Sequence, residues 1–243
     1  MQQELPAGQW ETPQQILVIL AHPDDPEFFC GGTLAQWIAA GHTVHYCLLT
    51  CGDKGSDDRQ LSSAELCAMR LDEQRAAARV LGVESVRFLD FPDGYLTPDM
   101  ELRKAVTRVI RQVRPDILVT CDPTNLFIRN LRINHPDHRA AGQAVLDAVF
   151  PAAGNHRYFP ELLDQEGLEP HMPREIWVSL PVEPQVEIDI TEILPVKLTA
   201  LLEHRSQISD PEAFQERMRA RHTIESTPEA PRYVETFRVI RYE

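Results

Sequence analysis

The sequence predicts an α/β fold: a mostly parallel β-sheet with helices on both faces. Two observations carry this. Short continuous apolar runs at residues 16–21 (ILVILA) and 116–121 (DILVTC) read as strands buried on both sides. Segments of helical spacing alternate with these and with further strand-like runs, as βαβ units require.

The elements follow in order. Residues 1–15 are polar and read as a tail, and residues 16–21 form the first strand. Gly31 and Gly32 lead into a helix over 33–40, closed by Gly41. Residues 42–50 form the second strand. Ser62 and Glu65 have capping-box spacing and open a helix that runs to 81 and stops at Gly82. Residues 86–89 form a third strand. Thr97 and Pro98 suit the N-cap and first position of a helix whose Leu102, Val106, Val109, Ile110 and Val113 share one face. After the fourth strand, residues 122–134 show no period, and a connection of that length is often functional. A helix over 139–149, strands at 176–180 and 186–190, a helix over 192–207 and an edge strand at 233–240 complete the chain, which reads as one domain over 1–243.

The 243 residues are 43% hydrophobic and 25% charged, an ordinary globular balance. A formal net charge of −13 argues against a nucleic-acid or anionic-membrane binder and leaves a small-molecule substrate as the expected partner, with homo-oligomerisation open. The five cysteines include no CxxC pair and are expected as buried reduced thiols. With no leader-like segment and no long apolar run, a soluble cytoplasmic protein is expected.

In open parallel sheets, sites form beyond the carboxyl ends of the strands. The first strand runs straight into His22-Pro23-Asp24-Asp25-Pro26-Glu27. Adjacent carboxylates are costly unless a cation or proton compensates. A second cluster, His135-Pro136-Asp137-His138, follows the fourth strand and its loop. Asp137 alone reads as a helix cap. Together the clusters offer two histidines and a carboxylate, and three protein ligands with one open position is the catalytic-zinc arrangement.

The run AHPDDPE followed by GGTLA, then HPDH, resembles the PIG-L/LmbE-like deacetylases. The likeness extends to Thr50 and Gly52, to RLDEQRAAARVLG, PDGYL, YFPEL and EHRSQ. It implies a Rossmann-like domain and deacetylation of an N-acetylated amino sugar or its conjugate. It further implies zinc, with iron(II) as the cellular alternative, held by His22, Asp25 and His138. Asp24 would be the general base, and His135 would stabilise the oxyanion or protonate the leaving amine. Arg70 and Asp93 would contact substrate hydroxyls; read locally, Arg70 and Glu73 are a helix-surface ion pair and Asp93-Gly94 a turn. Glu27 either orients ligands or sits in solvent. His42 and His45 read as structural, His204 as a packing or hydrogen-bonding residue, and His156 and His171 as loop residues that could line a cleft. Cys51 reads as an inert thiol.

Three other functions compete: an amidase on a thiol–sugar conjugate within the same family, a non-haem iron oxygenase with a facial triad, and a receiver-like module with Asp90 as phosphoacceptor. The oxygenase leaves Asp25 without a task and conflicts with the α/β alternation. The receiver leaves His135 and His138 unused.

Overall fold

The first strand, β1 (Gln15–Leu20), is the axis of the sheet, and from Ile16 onward it has no solvent exposure. The computed structural model describes residues 8–128, 131–221, 223, 226–227 and 229–242. After β1 come α1 (Asp25–Ala39), β2 (Thr43–Leu48), α2 (Ser63–Leu81), β3 (Ser85–Phe88), α3 (Met100–Val113) and β4 (Ile117–Cys121). A two-stranded hairpin, β5 (Phe127–Ile128) and β6 (Arg132–Ile133), precedes α4 (Pro136–Asp147), which runs on into a π-helical segment (Ala148–Ala153). The remaining elements are α5 (Pro160–Asp164), β7 (Glu175–Ser179), β8 (Val186–Asp189), α6 (Leu194–Leu201), α7 (Pro211–Arg219) and β9 (Val234–Arg241).

The main sheet has the order β3-β2-β1-β4-β7-β9-β8. The first five strands in that order are parallel, and β9 and β8 add antiparallel pairings. Alternate residues of β1 serve opposite faces. Leu17 and Ile19 pack with Val106, Ile110, Ala141 and Val145 of α3 and α4. Ile16, Val18 and Leu20 pack with Cys30, Leu34 and Trp37 of α1. Each such side chain contributes about 1.5–3 kcal/mol by leaving water, so the centre of the sheet is the stiffest support the fold offers. The order reverses between β1 and β4, and the ends of these two strands form the switch point at which α/β ligands bind.

Several elements depart from the sequence reading. Helix α1 starts at Asp25, eight residues before the expected position, and runs through both glycines. Asp24 turns the chain with φ 87°, Pro26 occupies the first turn where its missing N–H costs nothing, and Asp25 and Glu27 suit the positive helix end. Gly32 serves packing instead of starting the helix: a Cβ there would lie 2.8 Å from Ile190. Helix α3 is capped by Asp99, whose Oδ1 accepts from Leu102 N, so Thr97 and Pro98 lie ahead of the cap. Helix α6 ends at Leu201, leaving His204 in the turn that follows. Strand β9 lies between β7 and β8 with Phe237 fully buried, and β8 is the edge.

The expected tail is also corrected in part. Residues 1–7 lie outside the described residues, but Trp10 stacks edge-on against Trp37, His42 and Trp177. The cysteines are not all reduced: Cys51 and Cys67 form a disulfide, while Cys30, Cys47 and Cys121 are free and buried. The capping box at Ser62 and Glu65 is present as read, with Gly82 left-handed after Leu81. Among the described residues, no helix is long and apolar enough to cross a membrane.

Candidate metal centre and active site

His22 leaves the end of β1 almost fully buried, and its N–H donates to Asp25 Oδ2 at 2.8 Å. The two ring nitrogens face different surroundings. Nε2 lies 3.1 Å from Asp93 Oδ1 and 3.3 Å from Asp137 Oδ2. Carboxylates only accept, so Nε2 carries a proton, and Nδ1 is the nitrogen left to face a cation, which would displace any proton held there. Nδ1 points to His138 Nε2 at 3.2 Å and to Asp25 Oδ2 at 3.4 Å.

His138 shows the complementary arrangement from the first turn of α4. Its Nδ1 lies 3.1 Å from Asn134 Oδ1, an amide oxygen that only accepts, so Nε2 is the free donor atom. Nε2 in turn lies 3.0 Å from Asp25 Oδ1. The Asp25 carboxylate, His22 Nδ1 and His138 Nε2 thus converge, and the other nitrogen of each ring is hydrogen-bonded from behind, the support that metal-binding histidines have. The two nitrogens lie 3.2 Å apart, and the Asp25 carboxylate spans both, with Oδ1 at 3.0 Å from His138 Nε2 and Oδ2 at 3.4 Å from His22 Nδ1, a donor set of the kind that holds a divalent ion. The residues therefore fit a divalent ion.

Among the described residues, two groups bring three possible ligand atoms within 4.8 Å of one another, and neither includes Asp25: His22 with His135 and His138, and His22 with Asp93 and Asp137. Both serve other partners. His135 is the N-cap of α4, and its Nδ1 accepts the N–H of Asp137 at 3.2 Å. A neutral ring bonded in that way carries its proton on Nε2. Burial and the charges of His22 and His138 lower its pKa further, which keeps it neutral. Asp93 Oδ2 accepts from Lys54 N at 2.8 Å. Asp137 is fully buried, and its oxygens accept from Gly94 N at 2.7 Å and Leu96 N at 3.2 Å. It is thus not the helix cap that the sequence suggests. Asp93 and Asp137 brace His22 and tie the loop after β3 to the site.

The electrostatics follow this layout. Burial opposes charge on His22, yet Asp137, Asp25 and Asp93 outweigh it and raise its pKa well above the usual imidazole range. Burial likewise works to raise Asp25, but His138 and His22 hold it well below the usual carboxylate range. Asp93 is lowered to about 2: burial is overcome by His22 and the Lys54 N–H. Asp24 differs from both. Burial pushes it up to about 6, Arg70 opposes the rise and Asp25 adds to it. A carboxylate poised near neutrality is what a general base needs.

Arg70 is buried and is not a helix-surface partner of Glu73. Its guanidinium donates to Gly52 O, Pro23 O and Asp24 Oδ2. Gly52 must be glycine here: it has φ 71°, and a Cβ would lie 2.2 Å from Arg70 Nη1. Glu73 instead accepts from the backbone and hydroxyl of Ser206. Glu27 is fully buried, bonded to Gln74 and His204, and does not sit in solvent. His42, His45 and His171 bond to Gln14, to Ser85 and Gln15, and to Pro115, away from the centre; His156 is exposed. Asp90 is exposed and outside the cluster.

Sequence reasoning missed Asn134, Gln74 and the bracing role of Asp137. The carboxylate between two histidines in HPDH was the one signal available for Asp137. Asn134 precedes that motif, and Gln74 lies within RLDEQRAAARVLG, but their partners are distant in sequence.

A doubly wound sheet with imidazoles and carboxylates clustered at its switch point is an arrangement able to hold a divalent ion. Comparison with known proteins makes this specific. Residues 17–149 match the PIG-L family, described as GlcNAc-PI de-N-acetylase. The chain is 35% identical over 197 residues to diacetylchitobiose deacetylase of Thermococcus kodakarensis, covering 81% of this chain and 71% of that protein. It is 33% identical over 174 residues to the 1D-myo-inositol 2-acetamido-2-deoxy-alpha-D-glucopyranoside deacetylase of Geodermatophilus obscurus, covering 61% and 57%. The structure of N,N'-diacetylchitobiose deacetylase from Pyrococcus horikoshii superposes with a TM-score of 0.83 at 31% identity, covering 93% of this chain and 84% of that one. The chain belongs to the PIG-L family of deacetylases and is an amide-cleaving enzyme. The oxygenase and receiver alternatives end there.

Proposed function

We propose that this protein is a zinc-dependent deacetylase that hydrolyses the N-acetyl group of an amino sugar or its conjugate. The observation that carries the reading is the convergence of His22 Nδ1, His138 Nε2 and the Asp25 carboxylate, with Asp24 and His135 beside them. The family and the named activities of the relatives support the substrate class.

His22, Asp25 and His138 would hold the ion. Zinc bound there lowers the pKa of water to about 7 and polarises a carbonyl. Asp24 takes a proton from water as its oxygen attacks the acetyl carbon. Negative charge develops on the carbonyl oxygen, and the Nε2–H of His135 is the donor available to meet it. The carbon–nitrogen bond then breaks, the amine takes up a proton, and acetate and free amine leave. Asp93 bonds to His22 and Lys54 N, and the two terminal nitrogens of Arg70 bond to Gly52, Pro23 and Asp24, while Arg70 Nε has no partner among the described residues. We infer that they shape the pocket by bracing His22 and Asp24 and contribute little direct contact to substrate hydroxyls.

The test is amine release from N-acetylglucosamine and N,N'-diacetylchitobiose by zinc-loaded protein, before and after chelation. Release that stops on chelation and returns with zinc is expected. No release from any N-acetylated amino sugar, or release indifferent to chelation, overturns the reading.

A further inference from the structure

Asp24 holds a backbone conformation, φ 87° and ψ −27°, that glycine adopts freely and other residues adopt only when neighbours impose it. Two handles impose it. Arg70 holds the carboxylate at 3.2 Å. The second handle is less obvious: the Asp24 N–H, which precedes the first turn of α1, donates to Gln74 Oε1 at 2.8 Å.

Gln74 reaches this position from α2 and is fully buried. Its amide has one orientation available. The Asp24 N–H can only donate, so it faces Oε1. The Glu27 carboxylate can only accept, so it faces Nε2, at 3.0 and 3.1 Å. Turning the amide over would set N–H against N–H and oxygen against oxygen. Glu27 is itself fully buried and is met from its far side by His204 Nε2 at 3.3 Å. Among the described residues, His204, likewise fully buried, has no hydrogen-bond partner at Nδ1, and its ring bonds to Glu27 through Nε2. Glu27 lies on the first turn of α1, the same turn that carries Asp25. Glu27 and Gln74 therefore measure the start of α1 against α2.

We propose that Gln74 is the positioning residue of the general base. It locks the left-handed turn that sets the Asp24 carboxylate beside Arg70. Glu27, braced by His204, locks the amide of Gln74. The proposal rests on the reading of Asp24 as the base.

A double-mutant cycle tests it. Gln74→Met keeps length and bulk but removes the acceptor. Displacing a reacting group by about 1 Å costs on the order of 10²-fold, so kcat is expected to fall by roughly 10–100-fold, with zinc content kept and KM within about twofold. In the Asp24→Asn background the same substitution is expected to change kcat by less than about twofold, because it has no base left to misplace. Equal fold-losses in both backgrounds, or unchanged kcat in Gln74→Met, overturn the proposal. Wild-type kcat in Asp24→Asn alone removes the base assignment, and the positioning role with it. If Gln74→Met yields no folded protein, Glu27→Gln carries the cycle, since it frees the Gln74 amide to turn while conserving volume. A loss confined to the Asp24 background supports the proposal, and an additive loss overturns it.

Discussion

Two loops bring the centre together, and they are built in opposite ways. The turn after β1 is four residues long, enters α1 directly and is braced by α2 through Arg70 and Gln74. The connection after β4 runs from Asp122 to His135 and carries a hairpin whose Phe127, Leu131 and Ile133 are more than half exposed. Yet both deliver a histidine to within 3.2 Å of the other. His138 is placed by the first turn of α4 and not by that exposed connection. There Asn134 fixes its ring, and Gly142 allows α4 to approach β4 so closely that a Cβ would lie 2.3 Å from Cys121 O. The ends of a rigid helix can thus hold a ligand while the preceding loop varies.

The largest test of this comparison is His138→Ala. It should leave one histidine and one carboxylate, lose most bound zinc, and lose activity by about 10³-fold or more, the scale of a catalytic metal. Full zinc occupancy in elemental analysis would mean that the α4 side supplies no ligand. Asn134→Ala removes only the hydrogen bond behind His138, so roughly 10–100-fold weaker zinc binding is expected. An unchanged zinc affinity in competition with a chelator would show that the helix alone orients the ring.

A third prediction concerns the brace on the β1 side. His204 is buried, which opposes its charge, but Glu27 raises its pKa above the usual value. Its stabilisation is then fully present below the unfolded imidazole pKa, about 6.5, and is lost as pH rises through the higher folded value. The Tm difference between wild type and His204→Gln should therefore narrow from pH 6 to pH 9. A constant difference would mean the His204–Glu27 contact is not an ion pair. The smallest effect is expected at the hairpin. Phe127→Ser with Ile133→Ser should shift stability by no more than about 0.5 kcal/mol per site and leave zinc content unchanged. A large destabilisation would show that the loop is as tightly built as the turn after β1.

What could be read from the sequence was local. The strand at residues 16–21 declares itself by six apolar residues in a row, and the start of α2 by Ser62 and Glu65 three residues apart. The histidines and carboxylates of AHPDDPE are conspicuous because polar groups directly after a buried strand need a reason, and HPDH because it packs two histidines and a carboxylate into four residues. What stayed hidden depends on partners far along the chain. Asp137 looks like an ordinary cap until the amides of Gly94 and Leu96 arrive from the β3 loop. Gln74 looks like one more polar residue on a helix until Asp24 and Glu27 close around it. The Cys51–Cys67 disulfide has no sequence signature, because the two cysteines meet only once the loop after β2 folds back on α2. The double glycine misled the placement of α1, since it serves close packing against Ile190 and not a helix start.

In the proposed site, His22, Asp25 and His138 hold the metal and His135 does not. Four protein ligands would close a tetrahedral site to water, so one candidate must stay off the ion, and the N-cap bond from Asp137 N to His135 Nδ1 selects His135. The direct measurement is zinc stoichiometry together with steady-state kinetics on His135→Ala. The account predicts about one zinc per chain, as in wild type, with kcat lowered by roughly 10²–10³-fold, the usual loss for a donor aimed at a developing oxyanion, and KM changed far less. Loss of the zinc from His135→Ala would contradict it and make His135 a ligand.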